Sequence, residues 1–263
     1  MQRSAPALLF SLALAFAQAP ANPPPDLKFE VASLKPSPPD VRGGQIKPSQ
    51  GGERYLATGV SLKLMMQVAY RVKADQIVGG PSWIDTDRFD MQAKAEKPSS
   101  VEELHVMLEN LMAERFKLQF HRSTKELPIY AMTVDKSGPK LEPHDAKNSG
   151  DPWIDQAVDH LTHLTLTATY CPMDYVAFRL AQLLDLPVVD QTNLKGGYDF
   201  KLSYTRDLPP GISPDAQING ETIDTSGPSI FEAMRQQLGL RLEKTRGQVE
   251  ILQIDRVEKP SGN

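Results

Sequence analysis

The amino-acid sequence predicts an α+β protein of two similar units, each carrying two helices packed on small mixed sheets in the order β-α-β-β-α-β-β. Three observations lead there. Four segments repeat apolar residues at helical spacing, and the stretches between them alternate apolar with polar residues. Ser99 with Glu102 and Ser229 with Glu232 have the spacing of capping boxes, each opening a helical segment. The order of segments over residues 53–142 is met again over residues 163–259.

In the first unit, "ERYLATG" reads as a strand. "SLKLMMQVAYRV" places Leu62, Met65, Met66, Ala69 and Val72 on one helical face. A short strand then runs into the turn Gly79-Gly80-Pro81, and the next strand has Phe89, Met91 and Ala93 on one side. Behind Ser99 the stripe Val101, Leu104, Leu108, Leu111 and Met112 marks the second helix. "KLQFHR" and "LPIYAMTVDK" alternate as two further strands.

In the second unit, "HLTLTATY" is a strand and Pro172 stands where a first helical turn tolerates proline. The helix that follows turns Val176, Leu180, Leu183 and Leu184 inward. "PVVD", a polar turn and "YDFKLSYT" repeat the strand-turn-strand step. The second helix ends on Gly239, a residue suited to a left-handed cap. "LRLEKTR" and "QVEILQIDRVEK" then read as a hairpin around Gly247.

The N-terminus has the form of a secretory signal peptide over residues 1–17. Arg3 is its only charge, an apolar stretch runs from Ala5 to Phe16, and Ala15-Phe16-Ala17 supplies small residues for cleavage before Gln18. That apolar stretch is shorter than the ~20 residues a spanning helix needs. The sequence therefore predicts an exported protein, periplasmic or secreted, with no transmembrane segment after cleavage. Residues 18–52 read as a tether and lead-in strand, and residues 143–162 as a linker.

A hydrophobic fraction of 40% with 24% charged residues is that of an ordinary globular chain. The net charge is −4 and no basic stripe interleaves with aromatics, which argues against nucleic acid as a partner. The single cysteine, Cys171, has no partner for an internal disulfide and reads as a small buried residue.

The candidate motifs are weak. Asp190 ends an apolar run, where enzymes often place a carboxylate, yet the polar turn closing on Gly196-Gly197 makes it the corner of a hairpin. Its expected counterpart in the first unit is the turn around Asp85 and Asp87. Asp155, Asp159, His160 and His163 lie close in sequence, but residues 160 and 163 fall on opposite faces of a strand. His105, His121 and His144 are scattered. "IDTSGPS" at 223–229 lacks the uninterrupted Asp-Thr-Gly loop of an aspartic protease, and its companion "IDTD" has no glycine. Residues 206–228, rich in Pro, Gly and Asp, read as a long excursion. No catalytic, cofactor-binding or metal-binding residue is assigned.

"FEVASLKPS", "AYRVKADQIVGGPSWIDTDRFDMQAKA", "MLENLMAERFKLQFHRSTKELPIYAMTVDKSGPKL" and "LPVVDQTNLKGGYDFKL" resemble successive blocks of one family. It is a bacterial exported family with a domain of unknown function, expanded as paralogues in acidobacteria. Some of its members are joined to membrane metallopeptidases of the antibiotic-sensor type, so the resemblance implies sensing or partner binding and no catalytic residue. Here "QTNLKGG" replaces the family's usual "TGL-G" turn. Each half is also similar to the short N-terminal domain of secretins and TonB-dependent receptors, through "FRLAQLLDLPVVD" and "IFEAMRQQLGLRLEKTRGQVEILQI". That module binds other proteins in the periplasm.

The function expected from the sequence is a non-enzymatic extracytoplasmic binding or sensing module, with another extracytoplasmic protein as partner. Two alternatives stand beside it. One is a hydrolase whose site assembles only in three dimensions, and the other a small-ligand binder using the cleft between units. Partner capture is expected at exposed sheet edges, for which "KLQFHR", "LPIYAMTVDK" and "QVEILQIDRVEK" are the candidates.

Overall fold

The structure, a computed structural model, describes residues 27–41, 43–49, 51–145, 151–159, 162–208, 217–218 and 221–260. The expected signal peptide lies outside the described residues, as do His160 and most of the long loop before residue 217.

The fold is mixed α+β, as the periodicities predict. Its first part contains strands β1 (Val31–Pro36), β2 (Gln45–Pro48) and β3 (Arg54–Val60), followed by helix α1 (Leu62–Tyr70). After a 3-10 turn come β4 (Ile77–Val78), the short helix α2 (Trp83–Thr86), β5 (Phe89–Lys94), α3 (Val101–Arg115) and β6 (Gln119–Val134). Next are β7 (Glu142–Pro143), β8 (Trp153–Val158), β9 (His163–Cys171), α4 (Met173–Leu183), β10 (Val188–Asp190) and β11 (Tyr198–Thr205). The small pair β12 (Gln217–Ile218) and β13 (Glu221–Thr222) precedes α5 (Ile230–Ala233), which runs on as a π turn, and β14 (Leu240–Arg256) closes the fold.

The strands form two outer sheets, ordered β1-β5-β3-β2 and β7-β11-β9-β8, and a central sheet ordered β10-β6-β14-β4. The expected lead-in strand is β1, which with β2 completes the first outer sheet, while the proline-rich tether before it lies outside the described residues; the stretch read as linker supplies β8, antiparallel to β9.

The central sheet corrects the reading of the last strands of both halves. "KLQFHR" and "LPIYAMTVDK" are not two strands but one, and "LRLEKTR" and "QVEILQIDRVEK" form a single strand instead of a hairpin at Gly247. The two long strands zip antiparallel along their whole length, with Phe120 opposite Ile254 and Met132 opposite Leu242. Gly247 sits mid-strand opposite Leu127, where a Cβ would approach the Ile129 side chain to 2.5 Å. It packs against the Ile129 side chain and makes no turn. A left-handed residue stands just before each long strand, Lys117 at φ 51° and Gly239 at φ 63°.

The ends of the ribbon cross over between the halves. The short strand β4 of the first half adds in parallel to β14 of the second, and β10 of the second half adds in parallel to β6 of the first. Leu252 and Ile254 on β14 pack in the core between the first outer sheet and α1 and α3, while Met132 on β6 packs in the core beneath α4 and α5. Burying this apolar surface on both faces of the ribbon ties the halves together. Leu252 lies fully buried between β6 and β4, so this strand offers no open edge at that position. The outermost strands of the outer sheets are β1, β2, β7 and β8.

The helix signals hold with small shifts. The box on α3 is Ser100 with Glu103, one residue later than expected, since Ser100 keeps extended backbone and accepts from the Glu103 N–H. Ser229 and Glu232 form their box as read, and Gly239 ends the π turn in the left-handed region. Pro172 serves as N-cap of α4. Val176 and Leu180 are buried and Leu184 packs against the same core, but Leu183 is exposed, on the outer side of the last turn.

Candidate functional site

Three helices and three strands enclose a cavity of about 290 Å3 between the halves. Helical periodicity places its walls. On α4, Tyr175, Phe178, Arg179 and Gln182 recur at helical spacing and line it, while Val176, Ala177, Leu180 and Ala181 are buried. On α1, Leu64, Gln67 and Val68 do the same, and α3 contributes Val101 and His105. The strands add Ile46 and Lys47 from β2, Tyr55 from β3, and Trp153 and Ile154 from β8.

The buried part of this lining holds two unsatisfied polar groups. Tyr55 is fully buried and its hydroxyl has no hydrogen-bond partner among the described residues; the same is true of His105 Nδ1. Their rings lie 5.9 Å apart at 50°. Burial pushes the His105 imidazole down to about 4, with the Arg71 charge acting in the same direction, so the ring is neutral at physiological pH. Burial also raises the Tyr55 hydroxyl, as does Tyr175, against the opposing pull of Arg71. An orphaned buried hydroxyl or ring nitrogen costs about 1–3 kcal/mol. Both atoms sit in the buried wall of the cavity, where each is left without a partner among the described residues.

The solvent side of the lining carries one cation, Arg179. Arg179 has no ion-pair partner among the described residues, whereas Lys47, opposite the exposed Leu56 in the ladder, turns its side chain to the outer face of the sheet. The Asp151 carboxylate accepts from the N–H of the lining Val101 at 2.9 Å. Arg71 beside the cavity differs. It pairs with Glu102 and with Asp174 at 3.4 Å and lies over the Tyr175 ring.

The residues singled out in the sequence lie elsewhere. Asp190 accepts from the Thr192 N–H at 2.9 Å and the Thr192 hydroxyl at 2.8 Å, a local turn that caps the end of β10. It is a corner but not of a hairpin, because β10 belongs to the central sheet and β11 to an outer one. The Asp85–Asp87 turn expected to match it lies on and after the short helix α2, with Asp85 paired to Lys63 and Asp87 to Lys259. Asp224 accepts from the Ser226 N–H at 2.8 Å, another local turn. His163 Nε2 is 2.8 Å from the Ser226 carbonyl oxygen, and Asp159 accepts from the Thr165 hydroxyl. Among the described residues no group of three His, Cys, Asp or Glu side chains could hold a metal ion.

His144 and Asp199 form a second polar site. His144 Nδ1 lies 2.8 Å from Asp199 Oδ1, and the Tyr170 N–H donates to the same oxygen at 2.7 Å. Burial alone would raise the Asp199 carboxyl, but these two bonds hold it below its usual range. The neighbouring Cys171 is no nucleophile. Its thiol donates to the Trp153 and Thr169 carbonyls, and burial pushes it up to about 11.

Sequence reasoning missed Tyr55, His105 and the α4 face. One signal was available: His105 falls within the apolar stripe of α3, between Leu104 and Leu108, where a polar residue needs a reason.

The comparisons with known proteins bear on residues 63–257, which match the family described as a protein of unknown function, DUF3738. The chain belongs to this family. The match covers α1, α3, α4 and both long strands, so the helical walls of the cavity lie within the family's domain. No curated protein and no solved structure matches the chain. Among the described residues no helix is long and apolar enough to cross a membrane.

Proposed function

We propose that this family member is an exported, non-enzymatic binding module that takes a small molecule into the cavity between its halves. The observation that carries this is the cavity itself, walled mainly by apolar and aromatic side chains, with the unpartnered Tyr55 Oη and His105 Nδ1 in its buried wall. The described lining includes no serine, cysteine or carboxylate, so it holds no carboxylate acid-base pair of the hydrolase kind. The N-terminal signal pattern and the likeness to exported sensor-linked relatives support an extracytoplasmic setting.

Titration with the neutral apolar fluorophore N-phenyl-1-naphthylamine tests the reading, because Trp153 at the cavity is placed to transfer energy to it. Saturable binding is expected, with loss of the transfer in Trp153→Phe. Val68→Trp, which fills the cavity from α1, should abolish binding while leaving the far-UV spectrum unchanged. Binding that survives both substitutions would refute a cavity site.

A protein partner remains a second reading, favoured by one observation. Strand β8 is outermost in its sheet and exposes Trp153 and Val158, at 50% and 56%. An unpaired edge with apolar side chains suits strand addition. Capture of a periplasmic protein that Val158→Lys abolishes and Val68→Trp leaves intact would favour it.

A further inference from the structure

We infer that the cavity takes up one large apolar side chain of an extended peptide, whose backbone adds as a further strand to the open edge of β8. This rests on the cavity reading above and deepens it by naming the class of ligand. The direction of the backbone groups carries it. In an antiparallel ladder, alternate residues of a strand turn their N–H and C=O toward one neighbour, and the residues between turn theirs away. The Arg206 N–H donates to the Thr162 carbonyl, so Leu164, Leu166 and Ala168 of β9 bond to β11. The Asp159 N–H donates to the His163 carbonyl, so Trp153, Asp155 and Ala157 of β8 bond to β9. Ile154, Gln156 and Val158 therefore turn their backbone groups to the edge that no described strand covers. The same alternation holds on β2. There the Ser49 N–H donates to the Arg54 carbonyl, so Gln45 and Lys47 bond to β3, and Ile46 and Pro48 turn theirs outward. Proline has no N–H to offer and stands at one of the outward positions, where an edge strand tolerates it.

Both edges border the cavity. Ile46 and Pro48 of β2 and Ile154 of β8 belong to its lining, so unpaired backbone and an apolar hollow lie side by side. A peptide paired with β8 continues the alternation of that sheet. The residue opposite Ile154 turns its side chain to the same face as Ile154, the face on which Leu64, Val68 and Phe178 wall the hollow. Its two neighbours turn outward, on the face of the exposed Asp155. Beyond the cavity β8 runs on, exposed, through Gln156 to Val158, which gives a peptide two more outward-facing residues to pair with. The recognised segment therefore alternates: an aromatic or large aliphatic residue opposite Ile154, an apolar one opposite Val158, and polar residues between. A free apolar molecule would fill the hollow and leave the backbone edge unused. A side-chain pocket beside an open edge adds specificity to the affinity of main-chain pairing.

The test uses a capped, fluorescein-labelled heptapeptide that alternates threonine with apolar residues around a central phenylalanine. Two analogues carry N-methyl groups on alternate amides, one analogue for each edge of the peptide. The unmodified peptide should bind saturably to the full-length mature protein and displace N-phenyl-1-naphthylamine. One methylated analogue should lose about tenfold or more in affinity and the other stay within about threefold, because only one edge of the peptide faces β8. Equal loss in the two, or loss in neither, overturns strand addition. Gln156→Pro removes an outward N–H and no ladder bond, so it should weaken the peptide about tenfold while the fold and the binding of N-phenyl-1-naphthylamine survive. Should that variant fail to fold, the two methylated peptides on the unaltered protein decide alone. Val68→Trp should abolish both ligands. A peptide that binds without displacing the fluorophore overturns the inference. So does a dimer that forms without peptide and that Gln156→Pro dissociates, which would give the edge to a second copy of the chain. If the fluorophore binds and no peptide does, the cavity reading stands and the peptide inference falls. If neither binds, both fall.

Discussion

The guanidinium of Arg71, at the left-handed C-terminal end of α1, lies 5.2 Å from the centre of the Tyr175 ring on α4. The same side chain pairs with Glu102 at the start of α3 and with Asp174 at the start of α4. One residue thus joins three helices from both halves beside the cavity. Both acidic partners are largely exposed, so the ion pairs contribute little and the half-buried ring contact more.

Arg71→Ala should therefore lower the stability of the fold by about 1–2 kcal/mol, most of it from the lost contact with Tyr175. Urea unfolding at low and high salt separates the contributions. A loss that survives added salt belongs to the ring contact, and one that disappears belongs to the ion pairs.

Tyr55→Phe removes a buried hydroxyl that bonds to nothing among the described residues. The substitution keeps the ring and its contact with His105, so the folded protein should be unchanged or up to about 1 kcal/mol more stable. Ligand affinity should fall. A stabilising substitution that costs binding would mark the hydroxyl as functional, whereas a loss of stability in Tyr55→Phe would show that the hydroxyl has a structural partner. Denaturant midpoints measured with and without N-phenyl-1-naphthylamine decide between them.

The α+β class was legible because it depends on local periodicity. Met65, Met66 and Ala69 on α1 and Phe89, Met91 and Ala93 on β5 are buried as their spacing required. Strand pairing was not legible, because Gly247 looks like a hairpin glycine from its neighbours and becomes an interior strand residue only once β6 lies against β14. The cavity was hidden for a related reason. Tyr175, Arg179 and Gln182 lie on the face of α4 that periodicity assigns to solvent, and only α1 and β2 from the other half turn that face into a wall. Asp190 was legible as a corner from local chemistry alone, since Thr192 is within reach of its carboxylate whatever the sheet does.

Two titrating groups on α3 should give stability opposite slopes with pH. His105 is held down to about 4 by burial and Arg71, against an ordinary value of 6.5. The unfolded chain then takes up a proton below about 6.5 that the folded chain refuses until about 4, so stability falls as the pH drops through that window, by on the order of 3 kcal/mol. Glu109 is raised by burial to about 7, with Arg122 opposing, against an ordinary value of 4.5. The folded chain keeps that proton where the unfolded chain loses it, so stability falls as the pH rises from about 4.5 to about 7. Exposure at Glu109 leaves its share the smaller. Glu109→Gln should steepen the rise in stability between pH 4.5 and 6.5, and His105→Leu should reverse it. Urea midpoints across about pH 4–8 measure both, and parallel curves for the two variants would contradict the assignment.

Lys117 and Gly239 both stand just before a long strand, and both adopt left-handed backbone. A β-carbon there costs about 1–2 kcal/mol in principle, so lysine shows that the conformation alone is tolerable. The surroundings separate the two. A Cβ on Gly239 would collide with the Gly138 carbonyl oxygen, a backbone atom that cannot rotate away. That contact exists because the turn after β6 folds back on Gly239, whose carbonyl accepts from the Asp135 N–H at 2.8 Å, while the Leu238 carbonyl accepts from the Lys140 N–H. Gly239→Ala must break this docking or strain it. It should cost about 2–3 kcal/mol, more than the conformation alone. Lys117→Gly relieves the same backbone strain but loosens the unfolded chain, so it should lie within about 1 kcal/mol of the parent. Thermal unfolding of the two variants side by side gives the comparison, and a Gly239→Ala protein as stable as Lys117→Gly would mean that the turn does not pack there.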